Sequence, residues 1–400
     1  MTGAKEPTAR ESGFRAPGLT AHGPGERSGP AVDPYPALLE PYGHVGLPMY
    51  PAVTYDERAG HAYDYARSGN PTRAALESAL AGWDHAARAF AFASGQAAIT
   101  AAFLTLRAGD HVIVTEDCQG GTTRLLDGLL TGFGIRVSYA PTHDLTAVAH
   151  AVRRETRVVF VENFSNPFLR FTDIEALVPL AHAENLQVWV DNTLMTPLLM
   201  RPLDLGADLV LHSATKYMGG HGDLMAGTVA VNDPSLAERL GFVQNATGTA
   251  LGVEESWLLA RGLETFPLRF SRSQTSAALL ARRLADHGAV AETIYPGLPG
   301  HPDHARVTEA LDGYGAMVTL RLARPELREE ILARLTKIAV GPGSGSTHTI
   351  LGVMERHCHA PVPLEVRVER GITAGLLRLS VGIEDPELLW ADLTSALEAG

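Results

Sequence analysis

Between residues 74 and 231 the chain alternates helical stretches with short β-rich runs, and this alternation restricts the fold more than any other feature. The segments fall at 74–83, 89–92, 96–106, 111–115, 122–130, 135–139, 158–161, 188–190 and 209–212. Strands alternating with helices predict an α/β fold whose mainly parallel sheet is covered on both faces. Ligands gather at the carboxyl ends of such strands.

The flanks divide the rest of the 400 residues. Residues 1–34 carry Gly, Pro and charge without periodicity and are expected to be a disordered tail. Residues 35–73, dense in Pro, Tyr and Gly, are expected to form an ordered arm before a large domain over 74–270. Helical text runs from 234 to about 287. A smaller C-terminal α/β domain is expected over 271–400, with strands near 316–322 and 376–381 and helices near 325–336 and 386–398.

A net charge of −12 argues against nucleic acid or an anionic membrane as partner. No apolar run approaches the ~18 residues of a membrane span, and the first residues lack a signal-peptide core, so a cytoplasmic protein acting on a small metabolite is expected. Two cysteines, Cys118 and Cys358, are too few for a disulfide framework. The only lysines are Lys5, Lys216 and Lys337 in a chain otherwise rich in Arg. A lysine kept in such a chain invites a chemical explanation, because Arg cannot lose its proton to become a nucleophile.

Lys216 lies in the run Leu209-Val210-Leu211-His212-Ser213-Ala214-Thr215-Lys216-Tyr217, a buried strand ending in two hydroxyls and an amine. Ser213 and Thr215 can donate to a phosphate, and Lys216 can form an imine with a carbonyl cofactor. Val188-Trp189-Val190-Asp191 ends a second strand in a carboxylate that would hold a pyridine nitrogen protonated. Phe92-Ala93-Ser94-Gly95-Gln96 turns a strand into a helix and leaves amides free for phosphate. Tyr65 and Arg67, one residue apart on the arm, pair a phenol with a guanidinium. Arg378 sits in the apolar strand Leu376-Leu377-Arg378-Leu379, where a buried guanidinium calls for a carboxylate.

In order and spacing these segments resemble the Cys/Met-metabolism PLP-dependent family, which includes cystathionine γ-synthase, cystathionine γ-lyase, methionine γ-lyase and O-acetylhomoserine sulfhydrylase. The resemblance runs from about residue 46 to the C-terminus. It implies a fold-type I, aminotransferase-like subunit with pyridoxal 5′-phosphate (PLP) as cofactor, assembled as a homotetramer of two dimers. By similarity Lys216 holds PLP and Asp191 pairs with its ring nitrogen. Ser213, Thr215 and the Ser94-Gly95-Gln96 turn bind the phosphate, with Tyr65 and Arg67 reaching the neighbouring subunit's phosphate. Asn166 lies near the cofactor's phenolic oxygen, Arg378 holds the substrate carboxylate, and Ser346 sits near the lysine and substrate.

The chain departs from the family where the chemistry happens. Gln119 replaces a tyrosine that stacks on the ring and moves protons, Gly345 stands where several relatives have Glu, and Gly222 replaces a serine. Loss of the Glu is expected to open space at the substrate's distal end. An amide has no useful pKa. The expected chemistry is therefore α,γ-elimination or γ-replacement of an activated γ substituent (acyl ester, phosphate or halide) through a vinylglycine-type intermediate. The alternatives are a γ- or β-lyase acting on sulfur amino acids, and a non-catalytic binding protein on the same fold. His357-Cys358-His359 would place two imidazoles on one face of a strand, but without further ligands no metal is expected.

Overall fold

The computed structural model describes residues 46–60, 62–360 and 362–398. The expected tail at 1–34 and the first part of the arm fall outside the described residues. From Gly46 onward the arm folds back on itself, with Ala66 N–H donating to Val53 O at 2.7 Å and Tyr55 N–H to Asp64 O at 2.9 Å. It ends three residues earlier than expected, because Asn70 caps helix α1 (Pro71–Trp83) by accepting from Thr72 N–H at 2.9 Å.

Seven strands make the large sheet: β1 (Arg88–Phe92), β2 (His111–Thr115), β3 (Arg136–Ala140), β4 (Thr156–Glu162), β5 (Gln187–Asp191), β6 (Leu209–His212) and β7 (Gly227–Val231). Their order is β1-β7-β6-β5-β4-β2-β3. Only β7 runs antiparallel to its neighbours, and every other adjacent pair is parallel. Side chains alternate between two buried faces. Val112, Val114, Phe160 and Trp189 enter one core, while Ile113, Val159, Val161, Val188 and Val190 enter the other. This double burial explains why the strands read as continuous apolar runs.

The second sheet has β8 (Val290–Ile294), β9 (Met317–Leu322), β10 (Ala339–Val340), β11 (Ile350–Val353) and β12 (Leu376–Ser380), in the order β10-β11-β12-β9-β8. It is antiparallel apart from β10 against β11. β8, β10 and β11 were not expected from the sequence. They are short, and distant partners in the chain complete their hydrogen bonding.

The helical text at 234–287 resolves into three helices, Pro234–Thr247, Val253–Glu264 and Phe266–Ala285. The first stops at Gly248, whose φ of +68° is left-handed. The expected division at 270/271 falls inside the third helix, whose Phe266 and Phe270 share one core with Val318 and Leu320 of β9. The helix expected at 325–336 is a 3-10 turn, Pro325–Leu327, followed by the helix Arg328–Arg334. His357, Cys358 and His359 are not on a strand. After β11 the chain folds back, with His357 N–H donating to Val353 O at 3.0 Å and His359 N–H to Met354 O at 3.1 Å. Among the described residues no helix is long and apolar enough to cross a membrane, and no cluster of His, Cys, Asp or Glu could hold a metal.

Candidate active site

The ends of β4, β5 and β6 and the start of helix α2 (Gly95–Phe103) enclose a cavity of about 330 Å³. It lies where a doubly wound sheet puts its ligand. Lys216 enters it from the turn after β6. Burial first, and the Arg378 charge second, lower the Lys216 pKa. Both effects favour the free amine that attacks a carbonyl.

Asp191 closes β5 directly opposite Glu162, the last residue of β4. Asp191 accepts from Thr193 N–H at 3.0 Å, and Glu162 accepts from Gln119 N–H at 2.6 Å. Burial raises the pKa of both carboxyls, and the Asp191 charge adds to the rise at Glu162. Two neighbouring buried carboxyls cannot both ionise cheaply, and this pushes the Glu162 pKa well above the usual carboxylate range. A cationic ring nitrogen against Asp191 would offset the cost of its buried charge.

The other end of the cavity is built for an anion. Ser94 caps α2 by accepting from Ala97 N–H at 3.0 Å, leaving the Gly95 and Gln96 amides without an intrahelical acceptor. A Cβ at Gly95 would sit 2.7 Å from Ser213 Cβ, so only glycine lets the helix start meet the Ser213 turn. Gln96 Nε2 is buried without a partner among the described residues. The Thr215 hydroxyl lines the cavity but is tied to Ala226, donating to its carbonyl at 3.1 Å and accepting from its N–H at 2.9 Å.

Arg378, 4% exposed, faces the cavity from β12. It donates to Asn166 Oδ1 at 2.8 Å, and its Nε is buried with no partner among the described residues. An amine with a lowered pKa, a carboxyl for a ring nitrogen, free amides for a phosphate and a guanidinium with an unused donor fit PLP and an amino acid together. Under the sheet, His212 Nε2 lies 3.0 Å from Asp84 Oδ1, both residues being buried. Burial alone would lower the His212 pKa, but the Asp84 charge and hydrogen bond raise it.

The structure gathers Lys216, Asp191, Ser213, Thr215, Ser94, Gly95, Gln96, Asn166, Gln119 and Arg378 around this cavity. Tyr65 and Arg67 lie elsewhere. Tyr65 is 44% exposed, and Arg67 sits over its ring while donating to Asn245 O at 3.2 Å. Ser346 is not in the wall, which Pro342 and Ser344 supply, and its hydroxyl accepts from His348 N–H at 3.3 Å. Gln119 turns its side chain back to cap helix α3 (Gly120–Gly128), accepting from Gly121 N–H at 2.9 Å.

Gly345 does not open space. Its φ is +73°, and a Cβ there would come within 2.5 Å of Tyr217 N and 3.0 Å of Lys216 Cα. The backbone at Gly345 packs directly against the lysine turn, and Thr347 N–H donates to Gly220 O at 2.8 Å. Gly222, also left-handed, faces Ser346 Oγ in the same contact. The two glycine departures therefore belong to one interlock. Sequence reasoning overlooked Glu162 and Cys358, which also line the cavity. A strand ending in a carboxylate, the signal that pointed to Asp191, was present at Glu162 as well.

The model of the Cys/Met metabolism PLP-dependent enzyme family matches residues 39–398. A cystathionine beta-lyase of Bacillus subtilis is 42% identical over 359 residues, covering 89% of this chain and 92% of the relative. A cystathionine gamma-lyase of the same organism is 40% identical over 362 residues, covering 90% and 96%. The crystal structure of cystathionine gamma synthase from Xanthomonas oryzae pv. oryzae in complex with cystathionine superposes with a TM-score of 0.87 at 34% identity, covering 90% of this chain and 94% of that one.

Proposed function

Since the chain belongs to the Cys/Met metabolism PLP-dependent enzymes, a family of lyases and synthases that use pyridoxal 5′-phosphate, we propose that it eliminates or replaces an activated γ substituent of an L-amino acid. The leaving groups in view are an acyl ester, a phosphate or a halide. Bound in the cavity, PLP supplies an electron sink for the charge left when a C–H bond beside the amino group breaks. Lys216, its proton affinity lowered by burial and Arg378, takes that proton at Nζ and can return it further along the substrate. Asp191 steadies the ring nitrogen. Arg378, held by Asn166, orients the substrate through its carboxylate. The Gly95 and Gln96 amides, with Ser213, hold the phosphate, and Tyr65 and Arg67 serve the neighbouring subunit of a homotetramer in the cytoplasm.

The observation that carries the choice of leaving group is Gln119. No phenol occupies this position, and the carboxamide is spent on capping α3. A thiolate, whose conjugate thiol has a pKa near ~8.5, leaves better with a proton donor, whereas halide, phosphate or carboxylate needs none. A second reading, β- or γ-elimination from sulfur amino acids such as cystathionine, is favoured by relatives at 40–42% identity and by Glu162 in the same wall, whose proton affinity burial and the Asp191 charge raise. Purified enzyme with PLP decides between them. Faster consumption of O-acyl- or γ-halo-amino acids than thiol release from L-cystathionine or L-methionine supports the first, and the reverse order overturns it.

A further inference from the structure

Cys358 takes no part in the chemistry above, yet this partly buried residue lines the same cavity as Lys216 and Arg378. The other cysteine offers a contrast. Cys118 is 1% exposed, and burial first, then the Glu162 charge, drives its thiol pKa far up, which leaves it inert. The turn that carries Cys358 is fixed by hydrogen bonds from His357 and His359 back to Val353 and Met354. His359, fully buried behind it, stays neutral because burial first, and Arg378 second, bring its pKa down to about 4. Arg378 is the guanidinium in this wall. Arg378 keeps one buried donor, Nε, with no partner among the described residues, which marks a place for an anionic ligand.

We propose that Cys358 is an anion-directed modification site, at which electrophiles bearing a carboxylate are anchored on Arg378 and attacked by the thiol. With a haloacetate, sulfur forms a bond to carbon, the carbon–halogen bond breaks, halide leaves with the electron pair, and the thiol proton passes to solvent. With an unsaturated 2-oxo acid, sulfur adds to the far carbon of the double bond and the proton ends on the carbon beside the carbonyl. Neither step needs an oxidant or reductant. Occupying this corner of the cavity closes it to an amino-acid substrate. The inference rests on Arg378 as a carboxylate anchor and is independent of which leaving group the enzyme expels.

The test is peptide mass mapping of the holoenzyme treated with iodoacetate or iodoacetamide at equal concentration. These reagents install adducts of similar size but differ in charge. Carboxymethylation of Cys358 is expected to outrun carbamidomethylation by about tenfold, the rate equivalent of one charge-assisted contact of ~1.4 kcal/mol. Propionate should slow the iodoacetate reaction and leave the iodoacetamide reaction unchanged. Arg378→Gln should erase the preference, and Cys118→Ser should leave it intact. If Arg378→Gln does not fold, propionate protection in the unaltered enzyme makes the same distinction. No adduct at Cys358, or equal rates for the two reagents, overturns the proposal. Because the readout is mass rather than turnover, failure of the proposed elimination chemistry would show separately, as O-acylhomoserine left unconsumed by an enzyme that still labels with iodoacetate preference.

Discussion

Placing a side chain at position 345 should damage this protein. Gly345 has a φ of +73°, and a Cβ would meet Tyr217 N at 2.5 Å, Lys216 C at 2.8 Å and Lys216 Cα at 3.0 Å. These are backbone atoms of the turn that presents the lysine, so no flexible side chain can give way. The left-handed conformation costs a non-glycine residue about 1–2 kcal/mol, and overpacking a tight contact adds about 1–3 kcal/mol. Gly345→Ala is therefore expected to lose about 2–5 kcal/mol, a large fraction of the roughly 5–15 kcal/mol that holds a folded domain. Urea denaturation of the holoenzyme at fixed PLP excess measures this, and Gly341→Ala is the control, since nothing lies within 4 Å of that Cβ. The variant should also bind PLP more weakly, because the contact that moves is the lysine turn itself. A Gly345→Ala enzyme with wild-type stability and cofactor affinity would refute the interlock.

Three further outcomes follow from other parts of the fold. Asp84→Ala leaves the buried His212 imidazole without its counter-charge and should cost about 3–5 kcal/mol in the same denaturation assay, whereas a loss below ~1 kcal/mol would show that the pair is not a structural ion pair. Asp117, whose pKa burial raises to about 6 from 3.8, binds its proton more tightly folded than unfolded, so its contribution is full below pH 3.8 and is lost as pH rises through about 6. Asp117→Asn should flatten that stretch of the stability–pH curve and be the more stable protein at pH 7, by an amount on the order of 3 kcal/mol; an unchanged slope counts against it. Gln119→Tyr restores the phenol at the expense of the α3 cap, so thiol release from L-cystathionine should rise relative to O-acylhomoserine consumption, while stability falls by about 0.5–1 kcal/mol. An unchanged substrate ratio would remove Gln119 from the account of specificity.

Local pattern was enough for much of this. Apolar runs such as Val188-Trp189-Val190 and the helix start at Ser94-Gly95 depend on neighbours in the chain, so the parallel sheet and α2 were legible from the sequence, whereas α1 was expected only from residue 74 and its cap at Asn70 was counted with the arm. Lys216 and Asp191 were legible for the same reason, since each closes or follows a strand and a parallel sheet puts all such ends on one edge. Long-range packing was not legible. Arg378 meets Asn166 across 212 positions of sequence, and the division expected near residue 270 disappears inside the helix Phe266–Ala285 because one core joins it to β9. The sequence alone marked Gly345 and Gly222 as departures and suggested a wider pocket. Only the tertiary structure decided otherwise, because the space beside a glycine is set by whatever the fold brings against it, and here that is the backbone of Lys216 and Tyr217.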